Sequence, residues 1–162
     1  MIIVADAGPL HYLILIGAVD VLAPLYDRVL VPETVIRELQ HARTPGAVRA
    51  WIAQPRAWFE ICPDPPADPD LAFLDAGEQA AITLAVSIAA DRLLIDEQAG
   101  RAAAEGRHLR ITGTLGVLAE AHQAGLLDFE TQLAQLRQTN FYVSASAVAR
   151  VRRRLSTGTE QA

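Results

Sequence analysis

The sequence predicts an α/β fold, a single domain in which a parallel β-sheet is flanked by helices. Short apolar runs alternate with helical patterns along most of the chain, and this alternation is typical of βαβ units. The 162 residues are enough for one sizeable hydrophobic core, so a second domain is not expected. Hydrophobic residues make up 51% of the chain and charged residues 20%, which excludes a disordered or fibrous protein.

Five apolar runs are predicted strands, and eight helical patterns lie between and after them. The run at 58–61 is the weakest strand, and the first helical pattern is broken near Gly17 and Pro24. The predicted strands are 2–5, 28–31, 58–61, 93–95 and 109–112. The predicted helices are 10–25, 32–41, 46–53, 76–89, 98–105, 114–124, 129–138 and 146–155.

Proline and glycine residues set several of these boundaries. Pro32 suits the first position of a helix, and Gly106 and Gly125 are placed to end helices. Four prolines within 62–69 exclude regular structure there and predict a surface connection. The predicted organisation is a core at 1–125, C-terminal helices at 126–155 packed on the same domain, and a flexible tail at 156–162.

Composition excludes several classes of function and location. All fourteen basic residues are arginine, which removes any mechanism that needs a lysine, and the net charge of −5 argues against general adsorption to nucleic acid. A single cysteine, Cys62, permits no disulfide, and the four histidines lack metal-binding spacing. No apolar stretch reaches the roughly 18 residues of a membrane helix, and the opening residues lack a signal peptide pattern. The sequence therefore predicts a cytoplasmic protein.

Two carboxylates follow predicted strands. The run at 2–5 ends at Asp6, and the run at 93–95 ends at Asp96. Ligands of open α/β sheets bind at the carboxyl ends of the strands. Each acid also has a structural alternative, because Asp6 can cap the helix after Pro9 and Asp96 can cap the helix that begins near Gln98.

Two further acids border apolar helix faces. Glu38 lies beside the stripe formed by positions 35, 39 and 42, and Glu78 has apolar neighbours at 81, 82 and 85. The alternatives are a solvated Glu38, or one paired with Arg37, and a capping box formed by Asp75 and Glu78. If the four acids converge, two carboxylates about 4 Å apart repel by roughly 4 kcal/mol at an effective dielectric of 20. A cation or shared protons must then offset this repulsion, and oxygen ligands favour Mg²⁺ or Mn²⁺.

A turn and an arginine are candidates for binding a phosphate group. The segment 111–116 contains Thr112, Gly113 and Thr114 between a strand and a helix, where free N–H groups can hold a phosphate; the alternative is a plain tight turn. Arg101, one helical turn beyond Asp96, can also reach a phosphate or remain a solvated helix residue. The basic run at 148–155 favours either an RNA backbone or an acidic partner, and its alternative is a charged surface face.

The order Asp6, Glu38, Glu78 and Asp96 on a βαβ pattern resembles the acidic quartet of the PIN domain family, in particular its VapC-like branch. The resemblance implies a parallel sheet flanked by helices, an endoribonuclease dependent on Mg²⁺ or Mn²⁺, and pairing with a small antitoxin protein. Glu78 stands where many relatives have an aspartate. The motifs that carry the resemblance are VADAGPL at 4–10, VPETVIREL at 31–39, GEQAAI at 77–82, LIDE at 94–97 and GTLGVL at 113–118.

The leading hypothesis is therefore hydrolysis of RNA phosphodiesters by the toxin of a type II toxin–antitoxin pair. Asp6 and Asp96 would hold the main metal ion, and Glu38 and Glu78 would complete its ligands or orient water. The alternative is a non-catalytic scaffold that binds a partner protein or a second copy of the chain. A phosphatase that uses Asp6 as nucleophile is disfavoured, because no second acid is nearby in sequence and no lysine is present.

Overall fold

A computed structural model describes residues 1–160. Within this range, five strands form one sheet in the order β3-β2-β1-β4-β5, and every neighbouring pair is parallel. The predicted parallel α/β sheet is therefore confirmed, including the weakest run, which becomes the edge strand β3. The strands are β1 Ile2–Ala5, β2 Arg28–Pro32, β3 Phe59–Cys62, β4 Arg92–Leu94 and β5 Ile111–Thr112.

Nine α-helices lie within residues 1–160 and cover both faces of the sheet. Two short 3₁₀ turns, Val19–Val21 and Pro69–Leu71, accompany them. The helices are α1 Ala7–Leu15, α2 Leu22–Tyr26, α3 Glu33–Leu39, α4 Gly46–Ile52, α5 Ala76–Ser87, α6 Gln98–Gly106, α7 Thr114–Gln123, α8 Phe129–Leu136 and α9 Ala145–Glu160.

The first helical segment departs from its prediction at both ends. Helix α1 begins three residues before position 10, because Pro9 falls in its first turn, where a missing N–H costs no hydrogen bond. Gly17, with a φ of 72°, breaks the segment. No single helix within the described range is long and apolar enough to cross a membrane. Two consecutive helical segments, Ala7–Leu15 and Val19–Tyr26, reach that length and composition only when they are counted together. The chain bends by 120° between them.

The sheet is buried on both faces, which explains its nearly continuous apolar strands. Alternate residues of one strand point to opposite faces, so Ile3 joins the larger core while Val4 joins the smaller one. The larger core contains residues of α1, α3, α4, α7, α8 and α9, and the smaller core contains residues of α5 and α6. Both cores anchor the strands whose ends carry the predicted acids.

The C-terminal helices share the larger core. Phe129, Leu133 and Val148 are almost fully buried in it, and α9 packs against α7. Helix α9 continues to Glu160, past residue 155, where the sequence places the start of a tail. Ser156 and Thr157 donate hydrogen bonds to carbonyls one turn earlier, which suits a continuing helix. Residues 161–162 of the predicted tail lie outside the described residues.

Candidate active site

A cleft of about 1220 Å³ opens at the carboxyl edge of the sheet, and all four predicted acids line it. Strand β1 ends at the residue before Asp6, and Asp96 follows β4 by two positions. Glu38 is on α3, which follows β2, and Glu78 is on α5. Acids from four separate parts of the chain therefore meet in one cleft because neighbouring parallel strands end at the same edge.

Asp6 is buried in the cleft wall, with only 6% of its surface exposed. It precedes α1, but its side chain makes no capping hydrogen bond, so the structural alternative is not realised. Burial raises the pKa of Asp6 to about 8, and the charges of Asp75, Glu38 and Glu78 add to the increase. Within residues 1–160, no basic group forms an ion pair with Asp6, Glu38 or Glu78.

Glu78 combines a capping position with a buried carboxyl. The side chain of Asp75 caps α5 by accepting the Glu78 N–H at 2.8 Å, as the sequence predicts. Glu78 is only 5% exposed. The pKa of Glu78 is raised to about 7, mainly by burial and next by the charge of Asp75. The cap uses only the backbone N–H of Glu78, so the Glu78 side chain remains available in the cleft.

Glu38 lies at the rim of the cleft and does not pair with Arg37. Arg37 instead contacts Asp64 at 3.1 Å, in the proline-rich connection. Desolvation and the charge of Asp75 raise the pKa of Glu38. The stripe predicted beside Glu38 is shorter than expected, because α3 ends at Leu39 and position 42 is exposed.

The convergence of the acids is measurable at Gly77, in the first turn of α5. A Cβ atom at this position would lie 2.6 Å from Glu38 Oε2, 3.5 Å from Asp6 Oδ1 and 3.5 Å from Asp75 Oδ1. Oxygens of three carboxylates thus surround one point that only glycine leaves open. Between residues 1 and 160, no three His, Cys, Asp or Glu side chains stand in a metal-binding arrangement.

Asp96 borders this cluster and is held by Thr114. The Thr114 N–H donates to Asp96 Oδ1 at 2.7 Å, and its hydroxyl donates to Asp96 Oδ2 at 2.6 Å. Glu97, not Asp96, precedes α6 as its N-cap. Burial raises the pKa of Asp96, whereas the Thr114 bonds and the charge of Arg101 lower it. Because both Thr114 donors are used, Thr114 orients a carboxylate, which corrects its predicted role in binding a phosphate.

Thr112 lines the cleft and also has a contact within the fold, and its predicted binding of a phosphate stays a prediction. Its buried hydroxyl accepts a 3.4 Å hydrogen bond from Arg92, which forms an ion pair with Glu120. Tyr26 donates to the same Glu120 carboxylate at 2.5 Å. This ion pair is partly buried, and the additional hydrogen bonds help to offset its desolvation.

Arg101, like Thr112, is a predicted phosphate ligand that lies at the cleft. It lines the cleft and donates to the Ile95 carbonyl at 3.3 Å, and its charge lowers the pKa of Asp96. Its guanidinium leaves further N–H donors for a phosphate. Binding of a substrate phosphate by Arg101 stays a prediction.

Sequence reasoning assigned Asp75 only to a helix cap, whereas the structure places it among the acids. Its charge raises the pKa of Asp6, Glu38 and Glu78 alike. The available signal was Gly77 between two acids, because a glycine inside the first turn of a helix often marks a close approach of other groups. Tyr142 gave no comparable signal, whereas Arg150 belongs to the basic run at 148–155.

A family model described as PIN domain matches residues 2–157 of the chain. The chain belongs to the PIN domain family. Members of this family are typically nucleases and generally use divalent metal ions. Among solved structures, a PilT N-terminus domain protein from the hyperthermophilic archaeon Sulfolobus solfataricus P2 is similar, with a TM-score of 0.51 and 11% sequence identity. The match covers 89% of this chain and 100% of that one, and it supports the PIN fold alone. No curated protein matches the chain.

The cleft of this PIN domain has a donor set suited to a hard divalent cation. Its ligands are carboxylate oxygens, without a thiolate or a cluster of imidazoles, which favours Mg²⁺ or Mn²⁺ over Zn²⁺. Asp6 is buried beside three other acids and has no basic partner in the described part of the chain. A bound cation would neutralise the negative charge of this cluster. The residues present therefore fit a bound cation.

Proposed function

We propose that this PIN domain is an endoribonuclease that hydrolyses RNA phosphodiesters with Mg²⁺ or Mn²⁺. The observation that carries the proposal is the approach of Glu38, Asp6 and Asp75 oxygens to one point beside Gly77, in the cleft that also contains Glu78 and Asp96. Such an arrangement repels itself unless a cation or protons intervene.

Each acid has a distinct part in this proposal. Asp6 and Asp96 would hold the cation, because Asp6 is fixed by burial and Asp96 by its two bonds from Thr114. Glu38, exposed at the rim, is free to rotate towards the cation or a water molecule. Glu78, which lines the same cleft, would complete the ligands or accept a proton from the attacking water.

The chain supplies positioning and charge, and the cation supplies the activation. When bound, a divalent cation lowers the pKa of a coordinated water and neutralises charge that develops on the phosphate oxygens. Arg101 lies beside Asp96, where its free N–H donors would hold the substrate phosphate. No covalent intermediate with the protein is required, since water is the nucleophile.

The direct test is cleavage of an unstructured single-stranded RNA by the purified protein with Mg²⁺ or Mn²⁺. We expect internal cuts in the presence of either metal, and their loss on addition of EDTA. Equal cleavage with the chelator present would contradict the metal requirement, and absence of cleavage with both metals would contradict the nuclease proposal.

Replacing Gly77 with alanine tests the geometry of the cluster. The new methyl group would lie 2.6 Å from Glu38 Oε2, so the Glu38 carboxylate must move away. We expect cleavage to fall about 10- to 100-fold, the range seen when groups that support a metal site are lost. The free energy of unfolding should change by less than about 1 kcal/mol, because alanine favours the helix and only a flexible side chain moves.

Gly46→Ala is the matched control for this prediction. Gly46 also begins a helix, and no atom lies within 4 Å of the position of its added Cβ. This variant should cleave RNA like the unmodified protein. Equal activity of Gly77→Ala and Gly46→Ala would mean that the position of Glu38 does not matter for cleavage.

The proposal includes a cytoplasmic role as the toxin of a type II toxin–antitoxin pair. A short, overlapping upstream reading frame whose product binds and inhibits this chain would support that role. The alternative is a PIN-like scaffold that acts through a partner protein or a homodimer, and it is favoured by the lack of a closed metal-binding arrangement within residues 1–160. A scaffold would associate stably with its partner but show no metal-dependent turnover.

A further inference from the structure

The cleft has a second wall that the acidic cluster does not explain. This wall consists of the segment 140–144 and the cleft-facing side of α9. Tyr12 joins it to the acids: its hydroxyl donates to Asn140 Oδ1 at 2.9 Å, and its ring meets the Phe141 ring edge-on at 4.9 Å. Tyr12, Asp96 and Glu97 line the same cleft, so the wall is adjacent to the carboxylates. Burial raises the pKa of Tyr12, and the charges of Asp96 and Glu97 raise it further.

Tyr142 is the most exposed large hydrophobic residue within the described part of the chain. It is 86% exposed and lines the cleft, while its neighbour Phe141 packs inward. An aromatic ring with two available faces costs free energy in water but offers a stacking surface for a planar ligand. Among the described residues, no hydrogen bond or ring contact of the Tyr142 side chain explains its exposed position.

Two arginines of α9 line the same cleft one helical turn apart. Arg150 forms no ion pair within residues 1–160, and Arg154 has only a 3.4 Å hydrogen bond to Gln123. Arg152, on another side of the helix, is bound to Glu130 by two hydrogen bonds of 2.8 and 2.9 Å. Of the four arginines in the basic run, one is structural, two line the cleft and remain available to anions, and Arg153 is exposed outside the cleft.

The size and charge of the cleft favour a chain-like ligand. Its 1220 Å³ exceed the roughly 300–1,000 Å³ of small-molecule pockets. It joins carboxylates, which would hold a cation, to arginines, which attract phosphates, and to an exposed ring on which a base can stack. The phosphates and the bases of a nucleotide chain therefore each have a matching group in the cleft.

We infer that Tyr142, Arg150 and Arg154 form a binding surface for single-stranded RNA, with a base stacked on Tyr142 and the flanking phosphates on the two arginines. The inference rests on the proposed function for the reaction at the acids. A duplex fits poorly, because its bases are already stacked on one another and leave no face for Tyr142. Arg150 and Arg154 are four residues apart, about 6 Å along α9, so both can face one strand that lies along the helix.

The test measures binding, separately from cleavage. A fluorescein-labelled, unstructured RNA strand is titrated in EDTA with the full chain, and the same RNA is tested as a duplex. We expect tighter binding of the single strand. Tyr142→Ala should weaken it at least about fivefold, the lower limit for loss of one stacked base, whereas Tyr142→Phe should keep the affinity.

Salt dependence tests the arginines. The double variant Arg150→Gln, Arg154→Gln should reduce the slope of log affinity against log salt by about 1.4, the value for two single-strand phosphates. Arg153→Gln is the control, because Arg153 is exposed on the same helix but does not line the cleft. It should change the slope by less than half as much.

The results separate this inference from the proposed function. Loss of binding by the Tyr142 and arginine variants supports the surface even if no RNA is cleaved. Equal affinity for strand and duplex, or variants that bind like Arg153→Gln, would overturn it even if cleavage by the acids is demonstrated.

Discussion

Asp6→Asn is expected to lower RNA cleavage by more than about 100-fold, since loss of groups that merely support metal ligands already costs about 10- to 100-fold. The substitution keeps the size of the side chain but removes the charge that would hold the cation. Asparagine can also accept and donate hydrogen bonds at the same buried position, so the fold should persist. Initial rates with saturating Mn²⁺, compared with the unmodified protein, measure the effect.

Asp20→Asn is the matched control. Asp20 is exposed, lies outside the cleft and undergoes the same chemical change. Its cleavage rate should stay within about twofold of the original, as expected for a surface substitution. Full activity of Asp6→Asn would reject the assignment of Asp6 as a metal ligand.

The metal-free protein is expected to lose stability as the pH rises from about 5 to about 8, by an amount on the order of 3 kcal/mol. Asp6 has a pKa of about 8 in the folded protein but an ordinary value of 3.8. Between these values the folded state retains a proton that the unfolded state has lost, so the free energy of unfolding falls with rising pH. Glu78, raised to about 7, acts in the same direction.

Urea unfolding in EDTA across this pH range measures the effect. The range avoids more acidic solutions. There, protonation of Asp64 and Asp128, whose pKa values are lowered in the folded protein, would destabilise the protein as the pH falls. Asp6→Asn should flatten the dependence and be more stable than the unmodified protein at about pH 8. Unchanged pH dependence in this variant would show that Asp6 ionises normally and that its neighbours do not repel it.

The sheet and the place of the acids were predictable because they depend on local patterns. Apolar runs that stop at Asp6 and Asp96 mark strand ends, and parallel strands bring their ends to one edge. Glu38 and Glu78 were predictable as acids beside apolar helix faces. Each signal depends on residues close together in the sequence, which is why the four positions were found without knowledge of their contacts.

The finer chemistry was not predictable, because it depends on contacts between distant segments. The local sequence suggests that Thr114 binds a phosphate. In the structure, both Thr114 donors form hydrogen bonds with Asp96, which is 18 positions away. Arg37 was a candidate partner for Glu38, but it forms an ion pair with Asp64 of the proline-rich connection. The second wall of the cleft requires α9 to pack on α7, and no local pattern in the basic run specifies which arginines face inward.

The central claim is that Asp6, Glu38, Glu78 and Asp96 share one divalent cation, and calorimetric titration of the metal-free protein with Mn²⁺ at about pH 8 tests it most directly. We expect saturable binding with a stoichiometry of about one, retained by Asp20→Asn and lost by Asp6→Asn. The absence of saturable binding, or binding that survives Asp6→Asn unchanged, would contradict the account.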